Sequence, residues 1–175
     1  PSPMENRAIA VQFNTADESL TIYYSTQTPH RARSELSRML SIPLEKIRVI
    51  APDVGGAFGM KASLYPEEVF TVWAAWQQKS STKWRSTRNE DLMAPSHGRG
   101  LITEGTLYFD NDGHFKGLTA DVQAPLGPWL PNSAAIPAWN AARMLPGPYH
   151  IENYQLSTNG RSLKTAPVGI YRGAG

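Results

Sequence analysis

A cluster of glycines between Asp53 and Lys61 (DVGGAFGMK) is the stretch of this chain best suited to chemistry. It directly follows an apolar run that is predicted to be a strand, and it ends with a lysine. Clustered glycines let a backbone approach a bound group closely, and their N–H groups can face an anion. This glycine loop therefore indicates either a binding site for an anionic group or a tight turn with Phe58 in the core.

Neither of the two familiar phosphate-binding motifs fits the glycine loop. The dinucleotide fingerprint G-x-G-x-x-G needs a spacing that Gly55, Gly56 and Gly59 do not have. A P-loop places Ser or Thr after its lysine, whereas Lys61 is followed by Ala62. A large ring between glycines can form one wall of a small cavity while backbone amides face inward. A nucleotide-binding enzyme stays open as one interpretation of the loop.

The composition excludes several classes of chemistry. The chain has 175 residues, of which 41% are hydrophobic and 18% charged, a formal net charge of +2 and no cysteine. It therefore has no disulfide, thiolate nucleophile or iron–sulfur site of its own, which fits the cytoplasm and leaves the periplasm open. Its basic residues are scattered and its apolar runs are short, so we expect no nucleic-acid partner and no membrane span. The four histidines lack the spacing of a metal site, and we expect no metal held by side chains: His30, His97, His114 and His150.

The hydrophobic pattern predicts a single α+β domain over residues 1–175, with a mixed or antiparallel sheet of hairpins and two main helices. The helices are predicted at Pro29–Leu40 and from a cap at Ser63 to Gln78. The stretch Ala124–Pro148, rich in proline and glycine, is expected to be a long loop with one helical turn. Strands are predicted at Ala8–Phe13, Leu20–Ser25, Lys46–Ala51, Thr82–Thr87, Leu101–Phe109, Phe115–Gln123 and Tyr149–Thr158. The DNDG turn between the fifth and the sixth of these predicts that they form a hairpin.

Five stretches of the chain match the motifs of one enzyme family. VGGAFGMK resembles a GGGFGxK loop, SPMENRAIAV a PMExRxxxA segment, STQTPHRAR an STQxPHxxR segment, STRNED a TRxED stretch and IYRGAG an AYRGAG loop. These motifs belong to the molybdenum-binding large subunit of the xanthine dehydrogenase, aldehyde oxidase and aerobic carbon monoxide dehydrogenase family. The resemblance covers essentially the whole chain and implies its first molybdenum-binding domain. Because both ends look cut, we expect the chain to be a fragment of a larger subunit.

The resemblance implies a molybdenum hydroxylase that oxidises an aldehyde or an N-heterocycle, with water as the source of oxygen. The metal would be held by molybdopterin, in its cytosine dinucleotide form, and not by side chains. The implied partners are the remainder of the large subunit, an iron–sulfur subunit, a flavin subunit with FAD, and a small-molecule substrate. The alternative from another class is a non-catalytic α+β binding or assembly module that retains the loops without cofactor.

The resemblance also implies roles for individual residues. Gln27 matches the glutamine whose amide donates a hydrogen bond to an oxo ligand of molybdenum, and Arg172 matches an arginine near the cofactor. These two residues are the catalytic candidates. The expected cofactor contacts are Gln27, Gly55, Gly56, Ala57, Phe58, Gly59, Arg172, Gly173 and Ala174.

Departures from the family pattern narrow these expectations. Ala57 replaces the third glycine of the loop, so we expect it to avoid a positive φ. Gly173 stands where the branch that oxidises carbon monoxide has a cysteine, and Ala62 where the purine-oxidising branch has a glutamate. Carbon monoxide and xanthine are therefore disfavoured as substrates. The family's catalytic glutamate lies in a further domain, so we expect the isolated chain to be inactive.

Overall fold

The computed structural model describes residues 1–173. The chain divides into two compact units, Pro1–Pro95 and Ser96–Gly175. Each unit has its own sheet, and both sheets combine antiparallel with parallel pairs. The predicted α+β class with a mixed sheet is confirmed. That all 175 residues form one domain of a larger subunit stays a prediction.

The first unit contains a four-stranded sheet. Its hairpin consists of β1 (Ala8–Asn14) and β2 (Ser19–Tyr24), in which alternate residues are buried. β3 (Ile47–Ile50) pairs parallel to β2, and β4 (Thr82–Arg85) pairs antiparallel to β1. The strand order is therefore β3-β2-β1-β4, with the hairpin at the centre.

Three helices complete the first unit. α1 (Pro29–Leu40) connects β2 to β3, because a parallel pair needs a crossover connection. α2 (Pro66–Gln78) packs against β1 and β4, and α3 (Arg88–Met93) follows β4. The buried core of this unit consists of Ile9, Val11, Phe13, Leu20, Ile22, Tyr24, Ala32, Leu36, Ile42, Ile47, Val72 and Ala75.

The second unit is a three-stranded sheet with one helix. β5 (Ile102–Phe109) and β6 (Phe115–Leu126) form the hairpin that the DNDG turn predicts, and β7 (Asn153–Ser162) pairs parallel to β6. α4 (Ile136–Met144) packs on β6 and β7. The small core consists of Val122, Ala124, Ala138 and Ala142, with Leu101 and Leu156 beside them.

Two sequence predictions about these elements are wrong. The stretch predicted as a loop contains the nine-residue helix α4, whose Pro137 lies in the first turn, where proline does not interrupt a helix. α2 begins after Tyr65 and not after a Ser63 cap, because Glu68 accepts a hydrogen bond from the backbone N–H of Tyr65 at 2.9 Å. The strands β3 and β7, whose pairing the sequence did not assign, join their sheets by parallel pairing.

None of the helices in residues 1–173 combines the length and the apolar character that crossing a bilayer requires.

Candidate cofactor-binding site

The glycine loop follows β3 and turns through residues in the left-handed region. Gly56, Phe58 and Gly59 have φ angles of 97°, 55° and 93°. Glycine adopts such angles without steric cost, whereas a bulky residue there is strained, and strain of this kind clusters at functional sites. Ala57 has no positive φ, as expected from the loss of the third glycine. Phe58 is 40% exposed, so the loop presents its ring at the surface and does not hold it in the core.

Gln27 contacts the glycine loop directly. The N–H of Gly59 donates to Oε1 of Gln27 at 3.0 Å, and the N–H of Gln27 donates to the carbonyl of Lys61 at 3.0 Å. Because the first bond requires an oxygen, it fixes which end of the side-chain amide faces the loop. The NH2 group is therefore directed away from Gly59, on an exposed side chain. Gln27 thus offers a neutral hydrogen-bond donor beside the loop.

The carboxylate of Glu5 joins three of the sequence motifs. Its Oε2 accepts hydrogen bonds from Ser25 Oγ at 2.7 Å, from Gly55 N–H at 2.8 Å and from Lys61 Nζ at 2.8 Å. Partial burial raises the pKa of Glu5, but the bonds from Lys61, Ser25 and Gly55 outweigh it and leave the pKa below its ordinary value. Glu5 is therefore charged at neutral pH.

The fourth motif of the first unit is bonded to the same segment of chain. Arg88, in the STRNED stretch, donates to the carbonyl of Met4 at 2.7 Å. Asp91, in the same stretch, accepts from the side chain and the backbone N–H of Arg7 at 2.9 Å each. The four motifs of the first unit therefore form one connected hydrogen-bonded assembly.

The glycine loop lacks the features of a phosphate cradle. The amides of Gly55, Gly56 and Gly59 already donate to Glu5, to the carbonyl of Val54 and to Gln27. The ammonium of Lys61 is 1% exposed and is bound to Glu5. The helix α2 begins only at its Pro66, so no helix N-terminus directly follows the glycines. This geometry does not favour the nucleotide-binding interpretation.

The glycines of the loop are needed partly for contacts within the protein. A Cβ atom added at Gly55 would lie 2.6 Å from Cβ of Glu5, and one at Gly56 would lie 3.3 Å from Cβ of Pro3. The first distance is shorter than any normal contact, and the second is tight. The segment around Glu5 therefore packs against the loop at these positions.

The arginine loop (Ile170–Gly173 in the described residues) belongs to the second unit. Arg172 is exposed and has a φ of 49°. Arg99 donates to the carbonyl of Gly173 at 3.3 Å and places its guanidinium 5.3 Å from the ring centroid of Tyr171. A Cβ atom at Gly98 would lie 2.3 Å from Cβ of Tyr171. The segment before β5 thus holds this loop in place.

The predicted site residues are divided between the two units. Gln27 and the residues Gly55–Gly59 lie together in the first unit. Arg172 and Gly173 lie in the second unit, and Ala174 lies outside the described residues. That all of them contact one cofactor stays a prediction.

A buried charge cluster around Arg7 was not anticipated from the sequence. Arg7 is 0% exposed, forms its closest ion pair with Asp91 at 2.9 Å, and stacks on the ring of Tyr65 with 4.3 Å to the centroid. Its Nη1 lies 3.9 Å from Glu68, and its Nη2 lies 3.5 Å from Glu67. The only signal in the sequence was the presence of Arg7 and Asp91 in two of the motifs. This cluster fixes α2 and α3 relative to β1.

Glu68 is expected to make the stability of the first unit depend on pH. Burial raises the pKa of Glu68 to about 7, although hydrogen bonds from Tyr24 and the charge of Arg7 act against it. A raised pKa means that the folded state binds the proton more tightly than the unfolded state. The contribution of Glu68 to stability is therefore complete below about pH 4.5 and is lost as the pH rises through about 7.

The Glu68→Gln variant tests this expectation, because it keeps the shape of the side chain but cannot ionise. The free energy of unfolding of the parent should fall between pH 5 and pH 8. That of the variant should fall less, and the difference should be on the order of 3 kcal/mol at most. Thermal unfolding midpoints of both proteins at the two pH values provide the measurement. Equal losses in parent and variant would show that Glu68 is not the group responsible.

The turn between β5 and β6 brings together three potential metal ligands, Asp110, Asp112 and His114. Oδ1 of Asp110 accepts the backbone N–H groups of Asp112 and His114 at 3.0 Å and 2.9 Å. These bonds close the hairpin turn, which accounts for the arrangement without a metal ion.

Comparison with known proteins identifies the family. The family model described as the molybdopterin cofactor-binding domain matches residues 1–175. The chain belongs to this family. The resemblance found in its motifs is therefore confirmed.

Relatives of this chain include the large subunits of a hydroxylase and of a carbon monoxide dehydrogenase. The nicotine 6-hydroxylase large subunit of Paenarthrobacter nicotinovorans is 30% identical over 99% of this chain. The carbon monoxide dehydrogenase large chain of Hydrogenophaga pseudoflava is 30% identical over 97% of it. The chain spans only 22% and 21% of the length of these two relatives.

Solved structures agree with this assignment of the domain. Quinoline 2-oxidoreductase from Pseudomonas putida 86 matches with a TM-score of 0.92 and 28% identity, over 99% of this chain and 22% of that one. Aldehyde oxidoreductase from Desulfovibrio gigas, at 16% identity, has the same fold, with a TM-score of 0.89 over 99% of this chain and 19% of that one.

Proposed function

We propose that this molybdopterin cofactor-binding domain forms one wall of the active site of a molybdenum hydroxylase. The observation that carries the proposal is the hydrogen bond between Gly59 and Gln27, which joins two family motifs and leaves an exposed amide NH2 group beside the loop. When bound, the cofactor supplies a metal that accepts two electrons from the substrate, while water supplies the oxygen atom.

The residues of the site suit such a cofactor. The NH2 group of Gln27 donates a hydrogen bond without adding charge and without titrating, which suits an anionic oxygen. The half-exposed ring of Phe58 offers a flat apolar surface. The guanidinium of Arg172 has a fixed fork of donors that suits oxo or phosphate groups. Gln27 and Arg172 would orient the reacting group, and Gly55–Gly59 would shape the surface that holds the cofactor.

The general base is expected to come from outside this chain. Glu5 is the carboxylate bonded to the glycine loop, but one of its oxygens accepts three hydrogen bonds and its pKa is lowered. A carboxylate stabilised in its charged form in this way is a weak base, and its bonds to Gly55 and Lys61 give it a structural task. We therefore propose that the isolated chain is inactive and that a glutamate from the remainder of the large subunit completes the site.

The substrate is proposed to be an N-heterocycle or an aldehyde. Two of the relatives are named for nicotine and quinoline, both N-heterocycles, and a structural relative is named for aldehydes. Gly173, where the branch that oxidises carbon monoxide has a cysteine, argues against that substrate. We propose that the electrons leave through an iron–sulfur subunit to FAD on a flavin subunit, and that the cofactor is the cytosine dinucleotide form. The cytoplasmic location stays a prediction.

The content of metal and nucleotide tests this function directly. The complete large subunit, with its partner subunits, is purified from a host that makes the cofactor, and molybdenum and acid-released nucleotide are quantified per subunit. We expect stoichiometric molybdenum and an equal amount of cytidine monophosphate, and neither from a host unable to make the cofactor. Molybdenum far below stoichiometry would favour the alternative, a binding or assembly module without cofactor. Guanosine monophosphate, or no nucleotide, would correct only the form of the cofactor.

A further inference from the structure

We infer that Glu5 and Lys61 are positioning residues that set the geometry of the cofactor site. They fasten the two ends of the glycine loop to each other and to the segment that carries Gln27. The inference rests on the proposed function, because it concerns how the same site is held in shape.

A single carboxylate oxygen binds both ends of the glycine loop. Oε2 of Glu5 accepts the N–H of Gly55 at the start of the loop and the ammonium of Lys61 at its end, each at 2.8 Å. The backbone N–H of Glu5 also donates to the carbonyl of Gly55 at 3.0 Å. The strained turn at Gly56–Gly59 is therefore closed at its base by one residue from a distant part of the sequence.

Lys61 extends this connection to Gln27. Its carbonyl accepts the backbone N–H of Gln27 at 3.0 Å and the hydroxyl of Thr26 at 3.1 Å. The hydroxyl of Ser25 reaches Oε2 of Glu5 at 2.7 Å. Lys61 therefore holds the backbone of Gln27, while the N–H of Gly59, in the same loop, holds its side-chain amide.

The burial of Lys61 makes this connection sensitive to charge. The side chain of Lys61 is 1% exposed, and that of Glu5 is 36% exposed. Removing the carboxylate of Glu5 leaves the ammonium of Lys61 uncompensated in a poorly solvated place, whereas removing both charges together avoids that penalty. A binding site works only when its groups are held to within a fraction of an ångström. Loss of the contacts between Glu5 and Lys61 should therefore weaken cofactor binding even in a variant that still folds.

A double-variant experiment separates positioning from simple stability. Glu5→Gln, Lys61→Met and the double variant are prepared in the complete subunit, together with Lys79→Met as the matched control. Lys79 is an exposed lysine whose ammonium lies 3.3 Å from Glu18. The measurements are the thermal unfolding midpoint, the rate at which molybdenum is lost from the loaded protein, and the spectrum of the paramagnetic Mo(V) form.

We expect Glu5→Gln to lower the unfolding midpoint more than Lys61→Met, because it leaves the buried ammonium of Lys61 unpaired, and the double variant to recover most of that loss. Positioning predicts that the double variant still loses molybdenum about 10- to 100-fold faster than the parent, the usual size of an outer-shell effect, and shows a shifted Mo(V) spectrum. The Lys79→Met control should match the parent in its rate of molybdenum loss and in its Mo(V) spectrum. Should the single variants fail to accumulate, Ser25→Ala, which removes one bond to the same oxygen, should still speed the loss of molybdenum.

One set of results would overturn the inference, and a different result would overturn the proposed function on which it rests. A double variant that keeps the molybdenum loss rate and the spectrum of the parent shows that the ion pair only stabilises the fold, and a Ser25→Ala variant that keeps both shows that the carboxylate of Glu5 does not position the site. A parent protein that never takes up molybdenum refutes the proposed function instead, and is recognised before any variant is compared.

Discussion

Replacing Gln27 with alanine is expected to lower turnover of the loaded enzyme by roughly 10²-fold, the size of the loss when one preorganised donor is removed. The molybdenum content should fall much less. The reason is geometric: Gly59 holds Oε1 of the side chain, so that the NH2 group is left to donate to an oxygen at the metal. Turnover per bound molybdenum, measured on the same preparations, gives the comparison.

The Gln27→Glu variant distinguishes two roles of Gln27, donating a hydrogen bond to an oxygen at the metal and anchoring the glycine loop. A carboxylate can still accept the N–H of Gly59, but it cannot donate, and it places a negative charge next to an anionic group. We expect this variant to keep its molybdenum and to lose at least as much turnover as the alanine variant. Gln77→Ala, at an exposed position near the end of α2, is the control and should behave like the parent. Loss of molybdenum in proportion to loss of turnover would mean that Gln27 serves only as an anchor of the loop.

Replacing Gly56 with valine is expected to abolish most cofactor loading. The backbone at Gly56 has a φ of 97°, which a β-branched residue adopts only with severe strain. The added Cβ would lie 3.3 Å from Pro3, so the effect acts through the shape of the loop and not by filling the path of the cofactor. Molybdenum per folded subunit is the measurement.

Gly113→Val is the matched control for this strain. Gly113 has a φ of 83° in the turn between β5 and β6, and a Cβ atom there would meet nothing within 4 Å. The Gly113→Val variant has the same kind of backbone strain, but the strain lies outside the glycine loop. Its molybdenum content should therefore equal that of the parent. Normal loading of the Gly56 variant, or equal losses in both variants, would show that the conformation of the loop does not govern cofactor binding.

Elements whose signals are local were predictable from the sequence. α1 has the predicted bounds Pro29–Leu40, because a proline starts it and the spacing of its apolar residues is helical throughout. The hairpin of β5 and β6 followed from the DNDG turn, where Gly113 has the positive φ that such turns need. α4 was missed because Pro137 was counted as a helix breaker although it lies in the first turn.

Relations between distant segments were not predictable in the same way. The apolar run of β3 predicts a strand, but its parallel pairing with β2 depends on the path of α1 across the sheet. The resemblance placed Gln27 and the glycine loop in one site, and the bond to Gly59 brings them together in the fold. Nothing local marked Glu5 as the residue that closes the loop, since its partners Gly55 and Lys61 are 50 and 56 residues away.

The structure of the cofactor-loaded subunit tests the central claim most directly, through the distance from Nε2 of Gln27 to the nearest oxygen ligand of molybdenum. We predict hydrogen-bonding contact, about 3 Å, with the bond from Gly59 to Oε1 of Gln27 preserved. A cofactor bound away from Gln27 and the Gly55–Gly59 turn would contradict the account.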